Sequence, residues 1–211
     1  LFTGIILIMA IRAEIRVLME NFVICGLTVE RAGMVFSAAE DEVRFRDIRA
    51  GVSRAGMQGS LRGEVELIPS RRVLQGRVAS RLDPNIMTAL LRANDMPFTA
   101  SMFERFGFEN SPPRCETEFS CRLAPRAPIS MRSEFWVEDC TYRGVSVVRA
   151  DGVYSFRSDG ANAVAAVDPL FVIGRRGRAD VGLRVDCSGG TVAFEGTSTI
   201  DPNEMSRMIG I

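Results

Sequence analysis

Two blocks of the chain repeat each other at a constant spacing of 118 residues. Residues Gly26 to Ser37 read GLTVERAGMVFS and residues Gly144 to Ser155 read GVSVVRADGVYS, while DPNIMTALL at 83–91 recurs as DPNEMSRMI at 201–209. One offset shared by distant blocks indicates repeated architecture. We therefore predict two copies of one unit: residues 1–93 form a first copy that is shortened at its N-terminus, and residues 94–211 form the second.

Apolar and polar residues alternate within each copy. Val181, Leu183 and Val185 alternate with Gly, Arg and Asp, and the same period occurs in residues 43–46, 61–67, 118–123 and 191–195. A period of two with one apolar face is typical of half-buried antiparallel strands. Turn signals separate these runs at residues 69–71, 150–152, 158–160 and 188–190. We predict a mainly β fold with short α-helices, in which tandem antiparallel β-meander units form one extended curved sheet or groove.

A short helix is predicted at the end of each copy. Asp83 and Asp201 are suitable N-cap residues, and a proline follows each of them at the first helical position. This pattern predicts helices over residues 84–93 and 202–210, and it explains the repeated Asp without a metal ion. A further amphipathic helix is predicted from Pro97 to Phe106, with Phe98, Met102, Phe103 and Phe106 on one side.

The composition argues against most kinds of catalytic and nucleic-acid-binding protein. The chain has no His, its 26 basic residues are all Arg, and they balance 26 acidic residues. The commonest general base and zinc ligand are therefore missing, and a near-zero net charge does not favour nucleic-acid binding. No CxxC pair occurs among the five cysteines. We predict no enzyme, no cofactor, no metal and no nucleic-acid partner.

Three further expectations concern single segments. The apolar run from Phe2 to Ile11 is interpreted as a buried strand in preference to a truncated membrane anchor, because it is too short to span a bilayer. The lone Trp136 is expected in the core. Cys121 and Cys140 could face one another on adjacent strands, which the sequence leaves open.

An antiparallel sheet with one apolar face must cover that face, as a sandwich, as a barrel, or by curling into a trough. Alternation alone does not choose among these three. In a trough, the alternating apolar positions would line the channel and would suit acyl chains. The predicted lining consists of Leu61, Val65, Leu67, Val181, Leu183, Val185, Val192 and Phe194.

Two segments carry a family resemblance: SLRGEVELIPSRRVLQGRVAS followed by LDPNIMTALL, and DVGLRVDCSGGTVAFEGTSTIDPNEMSRMI. Repeated alternating strands, each set followed by an Asp-capped helix, resemble the AsmA-like proteins of Gram-negative envelopes. The resemblance implies a repeating hydrophobic β-groove for passive phospholipid transfer or outer-membrane biogenesis. It also implies phospholipid acyl chains as ligands, further repeat units of the same chain as neighbours, and a periplasmic location tethered to the inner membrane through regions outside this segment.

This resemblance rests on pattern and supplies no catalytic or binding motif that could be transferred to single residues. Two other classes therefore remain open. One is a non-lipid structural or adhesive β-repeat protein, although an Asp-capped helix after each set of strands is atypical of that class. The other is an enzyme on a β-scaffold, which the missing His, phosphate-binding loop and nucleophile elbow disfavour.

Overall fold

The structure, a computed structural model, describes residues 13–24, 27–93, 97–108, 112–124 and 126–210. These residues form a single antiparallel meander sheet of twelve strands with a few short helices. The prediction of a mainly β fold built from antiparallel meanders is confirmed. The apolar run from Phe2 to Ile11 lies outside the described residues.

The strands follow one another through the sheet almost in chain order. Their bounds are β1 Ala13–Ile24, β2 Leu27–Ala39, β3 Glu42–Arg54, β4 Met57–Ile68, β5 Val73–Leu82, β6 Phe106–Phe108, β7 Arg114–Arg122, β8 Ile129–Tyr142, β9 Val145–Ser158, β10 Ala163–Gly174, β11 Arg178–Asp186 and β12 Thr191–Ser198. The order in the sheet is β1-β2-β3-β4-β5-β7-β8-β9-β10-β11-β12, and β6 pairs with the end of β8. Strands β1 and β12 are the edges, and no pairing between described residues joins them, so the sheet is open.

The 118-residue offset of the sequence reappears in the strands. Strands β1 to β5 and β8 to β12 match in order, and β2, shifted by 118, coincides with β9 to within one residue. Asn21 and Asp139, which are also 118 apart, both have a positive φ, of 54° and 48°. Each of them interrupts the pairing of its strand at the same place. The division of the chain between residues 93 and 94 remains a prediction.

Both predicted N-caps are present. The Asp83 carboxylate accepts a hydrogen bond from the backbone N–H of Asn85, and the Asp201 carboxylate accepts one from Asn203, each at 2.8 Å. After Asp83 the first turn, Pro84–Met87, is a 3-10 helix, and the α-helix α1 covers Thr88–Ala93. After Asp201 the α-helix α3 covers Pro202–Ile209, one residue less than predicted, because Gly210 adopts a left-handed φ of 85° and ends it.

The prediction of a helix from Pro97 to Phe106 is wrong at its C-terminal end. The helix, α2, covers Pro97–Phe103, and Phe106 instead begins β6. Strand β6 pairs with the last residues of β8, which brings the Phe106 ring to 4.6 Å from the Tyr142 ring, between centroids. Pairing with β8 and this aromatic contact explain why the segment is extended at Phe106.

Three of the four predicted turns are confirmed, and one is wrong. Residues 158–160 and 188–190 connect strands, and residues 69–71 form a 3-10 turn between β4 and β5. Residues 150–152, by contrast, lie inside β9. A Cβ added at Gly152 would lie 2.6 Å from the Pro169 carbonyl oxygen and 3.0 Å from the Phe135 ring. The glycine is therefore required by close packing between neighbouring strands rather than by a turn.

The helices and β6 lie at one end of the strands, which we call the helical end. The connections β4–β5, β9–β10 and β11–β12 lie at the opposite end, which we call the turn end. Buried hydrophobic residues concentrate at the helical end. Met205 and Met208 of α3 pack there against a cluster of Val137, Cys140, Val147, Val172, Ala179 and Ile200. Ile86, in the 3-10 turn before α1, is 1% exposed, and Ala100, in α2, is 0% exposed. The core of the protein therefore sits at the helical end.

Candidate apolar binding surface

The strand register aligns apolar residues into rows that run across the sheet. One row, the central row, passes from β1 to β12 through directly paired residues on eleven strands. It consists of Ile15, Phe36, Phe45, Val65, Gly76, Phe119, Met131, Phe156, Ala165, Val185 and Val192. It contains no charged residue. Since side chains alternate between the two faces of a strand, the central row marks one face of the sheet, which we call the apolar face.

Parallel rows flank the central row on the same face. Toward the helical end, the next row consists of Gly63, Val78, Thr117, Ser133, Tyr154, Val167, Leu183 and Phe194. The row after that consists of Met19, Ala32, Ala50, Leu61, Ser80, Cys115, Phe135, Gly152, Leu170, Val181 and Gly196. The apolar surface is therefore several residues wide along the strands.

The length of the apolar face greatly exceeds that of one lipid tail. Ten steps between neighbouring strands, at about 4.8 Å each, give the central row a length of about 48 Å. An acyl chain spans half of a bilayer's hydrocarbon core, or about 15 Å, and would therefore cover about three strand spacings.

Exposure of the apolar face increases from the helical end to the turn end. Val137 and Val172 at the helical end are 7% exposed. Val192 and Phe194 are 65% and 59% exposed, but they lie on the edge strand β12, all eight residues of which are exposed. Ile129, at the turn end of β8, is 43% exposed. The apolar face is thus a closed core at one end of the strands and solvent-accessible at the other.

The few polar groups on the apolar face are paired or uncharged. The Thr117 and Ser133 hydroxyls lie 2.7 Å apart and hydrogen-bond to each other. Burial raises the pKa of the Tyr154 phenol, and it also raises the pKa of the Cys115 thiol. These side chains therefore stay neutral at physiological pH, and the apolar face carries no charge in their vicinity.

The opposite face of the sheet carries the charges and is called the polar face. Ion pairs link neighbouring strands there, as between Arg77 and Glu118 across β5 and β7, and between Arg31 and Glu20 across β1 and β2. The Glu66 carboxylate accepts a hydrogen bond from the Gln75 amide at 2.7 Å. A hydrogen bond between Glu42 and Glu66 raises the pKa of Glu42 and lowers that of Glu66. Charge is thus confined to one side of the sheet.

Two depressions occur on the polar face, with volumes of about 420 and 510 Å³. Arg and Glu line both of them, and none of the eight residues predicted to line a groove does so. Trp136 borders the first depression and is 38% exposed, so its prediction as a core residue is wrong. The alternation explains this, because Phe135 takes the position on the apolar face and the next residue must point to the other side.

All eight residues predicted from the alternation lie on the apolar face. Val65, Val185 and Val192 belong to the central row, and the other five are Leu61, Leu67, Val181, Leu183 and Phe194. They form two groups, on β4 and on β11–β12, separated along the sheet by about 29 Å for six strand steps. Val181 is buried at 9% exposure, while Val192 and Phe194 are exposed. Whether they contact lipid remains a prediction.

The aromatic centre of the apolar face was missed by sequence reasoning. Phe119, Met131 and Phe156 occupy the central row between the two predicted groups, and Phe36 and Phe45 continue the row beyond β4 toward β1. The alternation around Phe45 and Phe119 was visible and would have identified these two residues. In β8, Ser133 lies on the apolar face and Trp136 lies on the polar face, and these two exceptions obscure the period of two.

Cys121 and Cys140 do not face one another, although they lie on adjacent strands. Cys121 pairs with Ile129 at the turn end of β8, and Cys140 lies eleven residues further along the same strand. That separation corresponds to roughly 36 Å of extended chain. Cys115, Cys121, Cys140 and Cys187 are all free thiols.

Other types of site were sought in the part of the chain that the structure describes. It contains no group of three or more Cys, Asp or Glu residues arranged to hold a metal ion. None of its helices has the length and apolar character needed to cross a membrane. The chain matches no known protein family, no curated protein and no solved structure.

Proposed function

We propose that this chain binds phospholipid acyl chains on its apolar face and lets them move passively along it, as a segment of a lipid-transfer protein of the cell envelope. One observation carries the proposal: a row of apolar residues without a single charge crosses eleven strands. The row is solvent-exposed where it reaches the edge strand β12, at Val192 and beside it at Phe194. An exposed apolar surface of this extent is costly in water unless it has a ligand or partner.

The energetics of the apolar face suit transfer better than storage. Each methylene removed from water contributes about 0.8 kcal/mol, so about ten methylenes contribute about 8 kcal/mol, which corresponds to roughly micromolar affinity before the entropic costs. Neighbouring positions of the central row are chemically alike, so a tail gains similar free energy at each of them. Movement along the row would therefore meet no single deep minimum.

The cellular setting of the proposal rests on the resemblance to AsmA-like proteins. We place the chain in the periplasm, tethered to the inner membrane by regions outside residues 1–211, with further repeat units of the same chain as its neighbours. The headgroups of bound lipids would remain in water at the turn end, where the apolar face is exposed. Outer-membrane biogenesis is the process that such a lipid path would serve.

Native mass spectrometry of the chain purified from a Gram-negative host tests this proposal. We expect co-purifying phospholipid, identified after extraction, and its loss in Leu183→Asp, while the matched variant Arg184→Asp on the polar face of the same strand keeps it. Circular dichroism must show that both variants are folded. A folded wild-type chain without lipid, or equal loss in both variants, would contradict the proposal.

The alternative is a structural or adhesive repeat that does not bind lipid. A specific observation favours it: Trp136, Phe171 and Ile173 are 38%, 43% and 44% exposed on the polar face. Exposed aromatic residues among arginines are typical of protein–protein contacts. In that case, lipid-free protein would bind a protein partner, and Phe171→Ala would weaken this binding while Phe194→Ala would not.

A further inference from the structure

Four arginines that form no ion pair lie close together on the polar face. They occupy the neighbouring strands β3, β4, β5 and β7, and we call them the arginine patch: Arg49, Arg62, Arg81 and Arg114. Among the described residues, no carboxylate oxygen lies within 4.0 Å of any of these four guanidinium groups. All four residues are exposed, so their charges are accessible to a ligand.

The strand register places these arginines directly opposite one another. Arg49 of β3 pairs with Arg62 of β4, and Arg81 of β5 pairs with Arg114 of β7. Like charges that face each other across two strands destabilise the sheet. Arg62 is also the diagonal neighbour of Arg81, because it pairs with the residue two positions before Arg81 on β5. The two like-charged pairs therefore form one continuous patch.

The next row toward the turn end shows how the same strands avoid such repulsion. That row alternates in sign across four strands, through the directly paired residues Glu64, Arg77, Glu118 and Arg132. Arg77 and Glu118 form an ion pair within it. The charges of this row are thus compensated by their cross-strand neighbours, whereas those of the arginine patch are not.

The second copy of the unit does not repeat the patch. Strands β11 and β12 correspond to β4 and β5 at the 118-residue offset. At that offset, Arg62 corresponds to Asp180 and Arg81 corresponds to Thr199. Since the corresponding strands form without these arginines, the fold of the unit does not require them, and their clustering calls for another explanation.

The arginine patch joins the two depressions of the polar face. Arg49 and Arg62 line the depression of about 510 Å³, and Arg81 and Arg114 line the depression of about 420 Å³. Glu116 borders both depressions, so the two are contiguous. The midpoints of the two arginine pairs are two strand steps and two residues apart, or about 12 Å.

We propose that the arginine patch binds a soluble organic ligand with two or more phosphate groups, and that each arginine pair binds one of them. A guanidinium group donates two parallel hydrogen bonds to phosphate oxygens, so a phosphate between two facing arginines replaces their repulsion by two attractions. The concave depressions favour a small molecule over the flat surface of an anionic membrane. The site lies on the polar face and does not depend on the binding of acyl chains by the apolar face.

Isothermal titration calorimetry of the full chain with myo-inositol hexakisphosphate tests this site. The probe presents phosphates on all sides of a ring, so we expect it to bind at least about tenfold more tightly than inorganic phosphate, which engages one pair only. Arg62→Gln and Arg114→Gln should each weaken its binding at least about tenfold, because each removes charge-assisted hydrogen bonds. The control Arg157→Gln removes an exposed arginine on the polar face of β9, outside the patch, and should bind like the wild type.

Thermal unfolding gives a second readout. Arg62→Gln removes a repulsive cross-strand pair, so it should not lower the melting temperature. The probe should raise the melting temperature of the wild type and of Arg157→Gln, but not that of the double variant Arg62→Gln/Arg114→Gln.

Three results would overturn the proposal. One is the absence of probe binding to the wild type at low ionic strength. Another is an equal loss of affinity in Arg62→Gln and Arg157→Gln, because binding would then follow net charge alone. The third comes from sedimentation with phosphatidylglycerol vesicles, with phosphatidylcholine vesicles as the neutral reference: if only phosphatidylglycerol binding depends on Arg114, and probe binding does not, the phosphate belongs to a lipid headgroup and the soluble ligand is wrong.

Discussion

A single charge on the apolar face should separate lipid binding from folding. Phe194→Asp introduces a carboxylate at a position that is 59% exposed, directly across from Leu183. Its neighbour in sequence, Ala193, points to the polar face and is also exposed. Ala193→Asp therefore adds the same charge to the same strand, one residue away, but on the other side of the sheet.

The cost of Phe194→Asp to stability follows from its exposure. An aromatic side chain offers about 200 Å² for burial, of which this one buries about two fifths, or roughly 80 Å². At about 25 cal/mol per Å², its loss lowers the free energy of unfolding by at most about 2 kcal/mol. The new carboxylate remains hydrated at this exposed position, so no further penalty for burying a charge is expected.

The cost to lipid binding is larger. An acyl chain that crosses β12 places about four methylenes within one strand spacing, and a hydrated carboxylate would keep them off the surface. At about 0.8 kcal/mol for each methylene, the loss is about 3 kcal/mol, or roughly a 100-fold weaker affinity. Titration with a phospholipid that carries a fluorescent acyl chain measures this, after urea denaturation has confirmed that the variants are folded.

The paired variant makes the result decisive. Ala193→Asp should bind the labelled phospholipid with an affinity within about twofold of the wild type, because a charge on the polar face stays in water. Equal affinities of Phe194→Asp and the wild type would refute the reasoning for this part of the apolar face. Equal losses in both variants would show that net charge, and not the identity of the face, controls binding.

Three further predictions concern the scaffold. A side chain at Gly63 would collide with a backbone carbonyl of β5, so Gly63→Val should lower the free energy of unfolding by about 3 kcal/mol in urea denaturation, and an unchanged midpoint would contradict this packing. Burial raises the pKa of the Cys140 thiol to about 11, so little of it is thiolate at pH 8. Cys140 should therefore react with an alkylating reagent at least about 100-fold more slowly than the exposed Cys187, which peptide mapping after alkylation at pH 8 would measure. Hydrogen bonds from Ser70 lower the pKa of Asp41 below its usual 3.8; the stability that this carboxylate contributes is full above that pH and is lost as the pH falls through the lowered pKa. Between pH 5 and pH 2, the free energy of unfolding of Asp41→Asn should therefore fall less than that of the wild type. Parallel plots of this free energy against pH for the two proteins would contradict the hydrogen bonds from Ser70 to Asp41.

The face to which each strand directs its side chains could be predicted from the sequence, because the period of two fixes it. Since Leu183 lies on the apolar face, Arg184 must lie on the polar face, and the same reasoning assigns Val65 and Glu64. The helix starts were likewise predictable from Asp83 and Asp201, since an Asp before a Pro satisfies the free N–H groups of a first turn.

Features that depend on contacts between distant segments could not be predicted. Gly152 resembles a turn residue in sequence, and only the approach of Pro169 and Phe135 shows why a glycine is needed within a strand. Phe106 continues a helical pattern, but pairing with Tyr142 makes it extended. The positive φ of Asp139 shifts the alternation near the helical end of β8, which no local rule anticipates.

That the sheet is open could also not be predicted from the sequence. A sandwich, a barrel and a trough all require the same alternation, so the choice depends on whether β1 and β12 pair and on what covers the apolar face. In the structure the two edges are separate, and the helices cover only the helical end. The exposed Val192 and Phe194 are the consequence on which the proposed function depends.

Photo-crosslinking would locate a bound lipid tail on the sheet. A phospholipid with a diazirine in its acyl chain, irradiated with the folded chain and mapped by peptide mass spectrometry, reports which side chains touch the tail. We predict adducts on residues of the apolar face, such as Val65, Phe119 and Phe194, and none on Glu118 or Ala193, which alternate with them on the polar face. Adducts distributed equally over both faces, or confined to the polar face, would contradict the assignment of the apolar face as the lipid path.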